Sequence, residues 1–186
     1  MNSLKYDAMT LGNHEFNFGS SIFTGIFKQA RFPLLGANVA DSGPYGLSQV
    51  GPGGQGVQPY IEKTLGGIKV AVLGITNHRV PNYELPSNIL GLTFSNPITT
   101  AQAITPTLKA RDDVVIALTH IGFTTNPKIV EVDHNDDTNF AADVPGVDAI
   151  IGAHSQTNPA NPEGHTKTLP TVVAGASANT SSSVCS

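Results

Sequence analysis

Two stretches of the chain, Ile68-Lys-Val-Ala-Val-Leu-Gly-Ile75 and Asp113-Val-Val-Ile-Ala-Leu-Thr119, are nearly continuous apolar runs rich in β-branched residues. Such runs are typical of strands that are covered on both faces, as in a parallel sheet with helices packed against it. A helical pattern over Ile98–Arg111 lies between them, and the order strand, helix, strand indicates a right-handed crossover. These stretches therefore predict a largely parallel sheet and an α/β fold.

Further elements continue this alternation towards both ends. Strands are predicted at Ala8–Leu11, Leu34–Val39, Gln58–Thr64, Ile68–Ile75, Val114–Thr119, Ala149–Gly152 and Thr171–Ala174, and helices at Ser20–Ala30, Ile98–Arg111 and about Thr138–Val144. Pro106 should kink the second helix or confine it to one side of that residue. The Gly- and Pro-rich segment Asp41–Gln58 predicts a long surface loop, and the polar segment 176–186 predicts a disordered tail.

The composition fits one globular domain and excludes several classes of partner. The chain has 186 residues, 39% of them hydrophobic, and a formal net charge of −4. An acidic balance argues against a surface that binds a nucleic-acid duplex, and no apolar run reaches the roughly 18 residues of a membrane span. The single cysteine, Cys185, excludes an internal disulfide and a thiolate zinc site.

Three histidines occupy the same position relative to predicted strands. His14 follows the first strand, His120 ends the Val114 strand, and His154 follows the Ala149 strand. The carboxyl ends of parallel strands meet at one edge of a sheet, where ligands bind. A single histidine after a strand is most often an ordinary loop residue, whereas three at matching positions favour a shared polar site. Imidazole nitrogens and amide oxygens together suit a divalent metal.

Three blocks of the sequence resemble those of the calcineurin-like metallophosphoesterases. Tyr6–Gly19, with Gly-Asn-His-Glu inside it, is similar to the family's Asn-His-Glu block, Leu118-Thr-His120 to its isolated metal histidine, and Val147–Gln156 to its later Gly-x-His-x-(His/Gln/Asn) block. The order and spacing agree from Met1 to about 175, most closely with the branch of 5′-nucleotidases and 2′,3′-cyclic-nucleotide phosphodiesterases. The resemblance implies a metallophosphatase-like β-sandwich flanked by helices.

The resemblance also implies roles for individual residues. One divalent ion, such as zinc or manganese, would be bound by Asn13, His120 and His154. The second ion of the family's pair would be bound by Gln156. His14 matches the catalytic histidine that contacts the phosphoryl group, and Asn17 stands where relatives carry an Asp or Asn paired with it. The implied substrate is a nucleotide or another phosphate ester.

Two blocks of the family pattern are missing from the sequence. The Asp-x-His of the first strand and the Gly-Asp that bridges the two metals would precede Met1, so we expect residues 1–175 to form a partial phosphoesterase domain, incomplete at its N-terminus. The C-terminal substrate-binding domain of the relatives is missing too. We expect weak or no activity from the chain alone. The alternative is a non-catalytic pseudo-phosphatase or interaction module with a relic histidine cluster. Relatives are commonly exported, which suggests a periplasmic or extracellular parent protein.

One acidic segment imitates a calcium-binding loop. Asp133-His-Asn-Asp-Asp137 places oxygen donors at alternate positions, but Thr138 stands where such a loop needs Gly and Val144 where it needs a bidentate Glu. We therefore expect a solvated acidic loop there.

Overall fold

The fold is an α/β arrangement of nine short strands and four α-helices in the described part of the chain. The computed structural model describes residues 1–123, 135–155 and 171–174. The strands are β1 Met9–Thr10, β2 Leu34–Leu35, β3 Val39–Asp41, β4 Tyr60–Leu65, β5 Ile68–Thr76, β6 Leu92–Phe94, β7 Val114–His120, β8 Ala149–Gly152 and β9 Thr171–Ala174. The α-helices are α1 Gly19–Phe27, α2 Val80–Tyr83, α3 Pro97–Lys109 and α4 Asp137–Asp143, and short 3-10 helices cover Asn2–Leu4, His14–Phe16, Leu47–Gln49, Pro52–Gly54 and Pro86–Ile89.

The main sheet has five strands in the order β4-β5-β7-β8-β9. Its three central strands, β5, β7 and β8, are parallel, as the apolar runs predicted. Its two outer strands are antiparallel to their neighbours, which limits the predicted parallel pairing to the centre. Gly66 and Gly67, both with positive φ, close the β4–β5 hairpin. Two smaller sheets, β1-β2 and β3-β6, complete the architecture.

The five-stranded sheet is covered on both faces. The face that carries Leu73 and Ala117 packs against α3 and α4 in a buried apolar cluster that also contains Leu108, Phe140 and Ile150. The opposite face receives the β1-β2 sheet, since Leu35 lies directly over Gly74. A small β layer on a larger sheet, with helices outside, matches the predicted α/β sandwich.

A second apolar cluster supports the turn that follows β1. Phe16 is fully buried, its ring stacks on Phe23 at 5.9 Å, and it meets Phe94 edge-on at 5.3 Å. Aromatic pairs at these distances prefer such geometries and add to the free energy of burial. Because Phe16 is two residues from His14, this cluster fixes the turn on which that histidine lies.

The segment Asp41–Gln58 is not the surface loop that its Gly and Pro content predicted. Tyr45 and Val50 are at most 1% exposed and belong to the second apolar cluster. The carboxylate of Asp41 organises the segment by accepting hydrogen bonds from four backbone N–H groups: Gly43, Tyr45, Gly46 and Leu47. Burial opposes the charge on Asp41, but these donors outweigh it and hold the pKa of Asp41 below its ordinary value. Turn residues therefore bend the segment while its few apolar residues are buried.

Pro106 was predicted to kink α3 or to confine it to one side, and the second alternative was wrong, because the helix continues through Pro106 from Pro97 to Lys109. Proline removes the donor that would reach the carbonyl of Gln102. Both Pro106 and Gln102 are exposed, so water can solvate that carbonyl. The Asn96 side chain caps the start of the helix by accepting from the Thr99 N–H at 3.0 Å.

Two further sequence predictions concern membrane spans and the C-terminal end of the domain. Within residues 1–123, 135–155 and 171–174, no helix is long and apolar enough to cross a membrane. The domain end at residue 175 and the predicted disordered tail, 176–186, lie outside the described residues and stay predictions.

The contact between the two β layers leads to a stability test. A Cβ added at Gly74 would lie 2.2 Å from Leu35 Cβ and 2.9 Å from the Leu35 carbonyl carbon. Because backbone atoms cannot move aside cheaply, Gly74→Ala should lower the free energy of unfolding by about 3 kcal/mol or more, measured by urea denaturation. Gly25→Ala is the matched control, since that exposed helical position has no atom within 4 Å of an added Cβ. It should raise stability by about 0.5–1 kcal/mol. Equal effects of the two substitutions would contradict the proposed packing of the layers.

Candidate functional site

The ends of three strands bring an amide oxygen and two imidazoles together. Asn13 Oδ1 lies 3.0 Å from His120 Nε2 and 3.1 Å from His154 Nδ1. The two imidazole rings are 5.1 Å apart between centroids. His120 is the last residue of β7, and His154 follows β8 by two residues. Three of the four residues predicted as metal ligands are therefore neighbours, and the fourth, Gln156, lies outside the described residues.

Gly12 allows the turn after β1 to pass close to His120. A Cβ at this position would lie 2.7 Å from His120 Cε1 and 2.8 Å from Glu15 Oε2. The Glu15 carboxylate accepts a hydrogen bond from the Gly12 N–H at 2.7 Å and so closes the turn. The Asn13 side chain is thereby held in a buried position, 7% exposed, beneath the two rings. Glu15 thus has a structural role in this turn.

His154 adopts a strained backbone conformation at the site. Its φ is +96°, in a region that residues other than glycine rarely occupy. Hydrogen bonds from Gly122 N to Ala153 O and from Ala153 N to Thr119 O, both 3.0 Å, fix the preceding residue. Strain of this kind costs about 1–3 kcal/mol and is concentrated at functional sites. The loop therefore holds the His154 ring against Asn13 at a cost in stability.

The site favours the neutral form of His120. Burial lowers the pKa of His120 to about 4, and repulsion from His154 and His14 adds to this effect. A neutral imidazole keeps a lone pair for a metal, whereas a protonated one has none. At neutral pH, His120 is therefore in the form that binds a cation.

The donor set fits a divalent ion, although it lacks an anionic ligand. Adjacent ligands on one ion, with bonds of about 2.1 Å at right angles, are about 3 Å apart, which matches the spacing around Asn13 Oδ1. Two imidazole nitrogens and an amide oxygen suit zinc or manganese. Among the described residues, no three His, Cys, Asp or Glu side chains form a metal-binding group. The candidate site consequently depends on the amide of Asn13.

A second set of polar side chains lies beside these donors. His14 is exposed, and its Nδ1 lies 2.8 Å from Asn17 Oδ1. Asn17 Nδ2 in turn donates to Glu84 Oε1, and Asn88 Nδ2 donates to the Asn17 carbonyl at 2.6 Å. Sequence reasoning missed Glu84 because it lies far along the chain and no motif surrounds it. Only the packing of the segment after α2 against the turn reveals it.

Asp137 is a buried acid beneath the two strand ends. It is fully buried, its Oδ1 accepts from Thr119 Oγ1 at 2.5 Å, and a Cβ at Gly152 would lie 2.0 Å from its Oδ2. The prediction of a solvated acidic loop is therefore wrong for Asp136 and Asp137, which are both buried. A sequence signal existed: Asp136 is the N-cap of α4 and accepts from the backbone N–H three residues later.

The electrostatic state of Asp137 follows from this burial. Burial raises the pKa of Asp137 to about 8, the hydrogen bond from Thr119 opposes that rise, and the nearby Asp136 charge adds to it. Among the described residues, Oδ2 of Asp137 has no hydrogen-bond partner. The carboxyl group is therefore mostly protonated at neutral pH.

Comparisons with known proteins agree on one family. The sequence profile described as calcineurin-like phosphoesterase matches residues 2–158. The trifunctional nucleotide phosphoesterase protein YfkN of Bacillus subtilis is 32% identical to this chain over 95% of its length, and the 5′-nucleotidase of Homo sapiens is 36% identical over 84%. The chain spans only 13% and 25% of the length of these two relatives.

Solved structures agree with the sequence comparisons. The crystal structure of calcineurin-like phosphoesterase YfkN from Bacillus subtilis matches with a TM-score of 0.65 at 32% identity, covering 84% of this chain and 47% of that one. The 5′-nucleotidase precursor from Thermus thermophilus matches with a TM-score of 0.66 at 29% identity, covering 84% of this chain and 27% of that one. The described fold is therefore the fold of these phosphoesterase domains.

The buried acid leads to a test of pH dependence. Because the pKa of Asp137 in the folded chain, about 8, lies above its ordinary value of 3.8, an unfolded chain releases this proton first. The stability that Asp137 contributes is therefore complete below about pH 4 and is lost as the pH rises to about 8. Asp137→Asn mimics the protonated acid. The free energy of unfolding of Asp137→Asn, relative to that of the unsubstituted chain, should therefore rise by about 1.4 kcal/mol per pH unit between about pH 5 and 7.

Urea denaturation at several pH values measures this difference. Asp143→Asn is the control for the loss of a carboxylate from the same helix, because Asp143 is exposed. A stability difference between Asp137→Asn and the unsubstituted chain that stays constant from pH 5 to pH 8 would show that the acid is ionised when the chain is folded.

Proposed function

Since this chain belongs to the calcineurin-like phosphoesterase family, we propose that its protein hydrolyses phosphate esters of nucleotides at a divalent metal held by Asn13, His120 and His154. The observation that carries the proposal is that His120 Nε2 and His154 Nδ1 both lie within 3.1 Å of Asn13 Oδ1. The nucleotide as substrate is supported by the named activities of the relatives, a nucleotide phosphoesterase and a 5′-nucleotidase.

The residues of the chain supply the binding site for the ion. Calcineurin-like phosphoesterases are metal-dependent. When bound, a divalent ion such as zinc or manganese supplies positive charge to the phosphoryl oxygens and lowers the pKa of a water. Asn13 and the two histidines would hold one ion, and Gln156 would bind the second.

His14 is the proposed catalytic histidine. It is next to Asn13 in the chain, and repulsion from His14 is one cause of the lowered pKa of His120, so it lies close to the ligand set. Its Nδ1 is engaged by Asn17, which leaves Nε2 to contact a phosphoryl oxygen or to protonate the leaving oxygen of the ester. General acid catalysis of this kind contributes about 10²–10⁴-fold in rate.

Other parts of the proposal concern the protein as a whole. We propose that the chain alone is weakly active, because the ligands among the described residues are neutral and bind a cation weakly. A non-catalytic module is not favoured, since a relic cluster would have no need of the strained His154 backbone. An exported parent protein also belongs to the proposal, and the relative from Thermus thermophilus is described as a precursor.

Metal binding can be tested without turnover. The full chain should bind Mn²⁺, and Asn13→Ala and His120→Ala should each weaken binding at least about tenfold, because each removes one of few ligands. Isothermal titration calorimetry measures the affinity, and His78→Gln, a histidine outside the proposed ligand set, is the control. Equal affinity of all four chains would place the ion elsewhere.

Activity tests the role of His14. With Mn²⁺ or Zn²⁺, the full chain should slowly hydrolyse p-nitrophenyl phosphate and AMP, and His14→Ala should reduce kcat at least about 100-fold. The control is again His78→Gln, which should retain the rate of the unsubstituted chain. Turnover that His14→Ala leaves unchanged would refute the assigned role.

A further inference from the structure

Glu84 extends the pair of His14 and Asn17 into a chain of three side chains. His14 Nδ1 lies 2.8 Å from Asn17 Oδ1, and Asn17 Nδ2 donates to Glu84 Oε1. His14 and Asn17 belong to the turn after β1, whereas Glu84 follows α2, so tertiary packing brings the third member to the other two. Among the described residues, Asn17 is the hydrogen-bond partner of the Glu84 carboxylate.

The local structure holds Glu84 in this contact. The Glu84 N–H bonds to the Val80 carbonyl at 3.0 Å and closes the end of α2. Glu84 is half-buried, while the residues on either side of it, Tyr83 and Leu85, are exposed. Asn88 Nδ2 donates to the Asn17 carbonyl at 2.6 Å and joins the same segment to the turn. The side chain of Glu84 is thus directed into the molecule at Asn17.

A carboxylate gives this chain of hydrogen bonds a direction. A carboxylate oxygen only accepts, so the side chain that donates to Glu84 must present its NH₂ group. The Asn17 amide therefore turns its Oδ1 towards His14. Since that oxygen also only accepts, His14 Nδ1 must carry the proton of the hydrogen bond between them. Asn17 by itself would not impose this, because its amide can rotate by half a turn and donate to Nδ1 instead.

We propose that Glu84 is a positioning residue that acts through Asn17 to hold His14 in the tautomer with its proton on Nδ1. In a neutral ring, Nε2 then has the lone pair, and in a cationic ring, Nε2 carries the proton that it can donate. The catalytic consequence rests on the proposed function, because it requires Nε2 to face the phosphoryl group. The tautomer itself does not depend on any reaction.

Glu84→Gln separates this role from simple support of the turn. Gln has nearly the shape of Glu and can still form a hydrogen bond with Asn17, so the packing is kept. Its NH₂ group can donate to Asn17 Oδ1, however, and this lets the amide turn its own NH₂ towards His14. The direction of the hydrogen bonds is lost while their number is retained.

Nitrogen NMR of the full chain reads the tautomer directly. With ¹⁵N-labelled histidine at about pH 8.5, where imidazoles are neutral, the signals that vanish in His14→Ala belong to His14. We expect a protonated Nδ1 and an unprotonated Nε2 in the unsubstituted chain, and a mixed or reversed pattern in Glu84→Gln. Glu62→Gln is the matched control, since Glu62 lies on β4, away from the site, and pairs with Arg111. The His14 signals of Glu62→Gln should be the same as those of the unsubstituted chain.

A second substitution provides rescue. In the Glu84→Gln background, Asn17→Asp places a carboxylate next to Nδ1. This carboxylate can only accept a hydrogen bond, so it requires a proton on Nδ1 whatever the orientation of the amide at position 84. The Nδ1–H tautomer should return. Retention of the Nδ1–H tautomer in Glu84→Gln, or an Nε2–H tautomer in the unsubstituted chain, would overturn the proposal.

Kinetics distinguish failure of this proposal from failure of the proposed function. With AMP and Mn²⁺, Glu84→Gln should lower kcat roughly tenfold with KM nearly unchanged, because Glu84 does not contact the substrate. A chain without any phosphatase activity would refute the weak activity proposed for the chain alone and leave the NMR result intact. A normal kcat together with an altered tautomer would show that Glu84 sets the proton position without affecting the reaction.

Discussion

The geometry of the site depends on the side-chain oxygen of Asn13 lying between His120 and His154. Two features of the fold produce this contact. The parallel pairing of β7 with β8 places Thr119 opposite Gly152, so that the two histidines leave neighbouring strands at the same edge. The packing of the β1-β2 sheet on β5, through Gly74, brings the turn with Asn13 over that edge. The site thus exists only where two β layers meet.

The central strands could be predicted from the sequence because strands buried on both faces consist of continuous apolar runs. Ile68–Ile75 was predicted and Ile68–Thr76 is found, and Ala149–Gly152 has the predicted ends. Short strands such as β2 and the segment Asp41–Gln58 were harder, since their apolar residues are few and their burial depends on distant partners. The three blocks led to Asn13, His14 and His154, whereas Glu84 is a partner only through tertiary contacts.

The site carries costs that the rest of the domain offsets. His154 has a strained backbone, Asp137 is an acid without full hydrogen bonding, and His120 is a half-buried imidazole beside two others. Each of these would destabilise an ordinary core. Local violations of folding preferences at one place, surrounded by well-packed apolar clusters, are typical of functional sites. Two of the positions where sequence reasoning failed, Asp137 and Glu84, lie in this same region.

The most direct measurement of the central claim is an anomalous difference map from crystals of the full chain grown with Mn²⁺. The proposed site predicts a peak within about 2.3 Å of Asn13 Oδ1, His120 Nε2 and His154 Nδ1 together. A manganese peak at another place, with these three atoms still hydrogen-bonded to one another, would contradict the claim that they form a metal site.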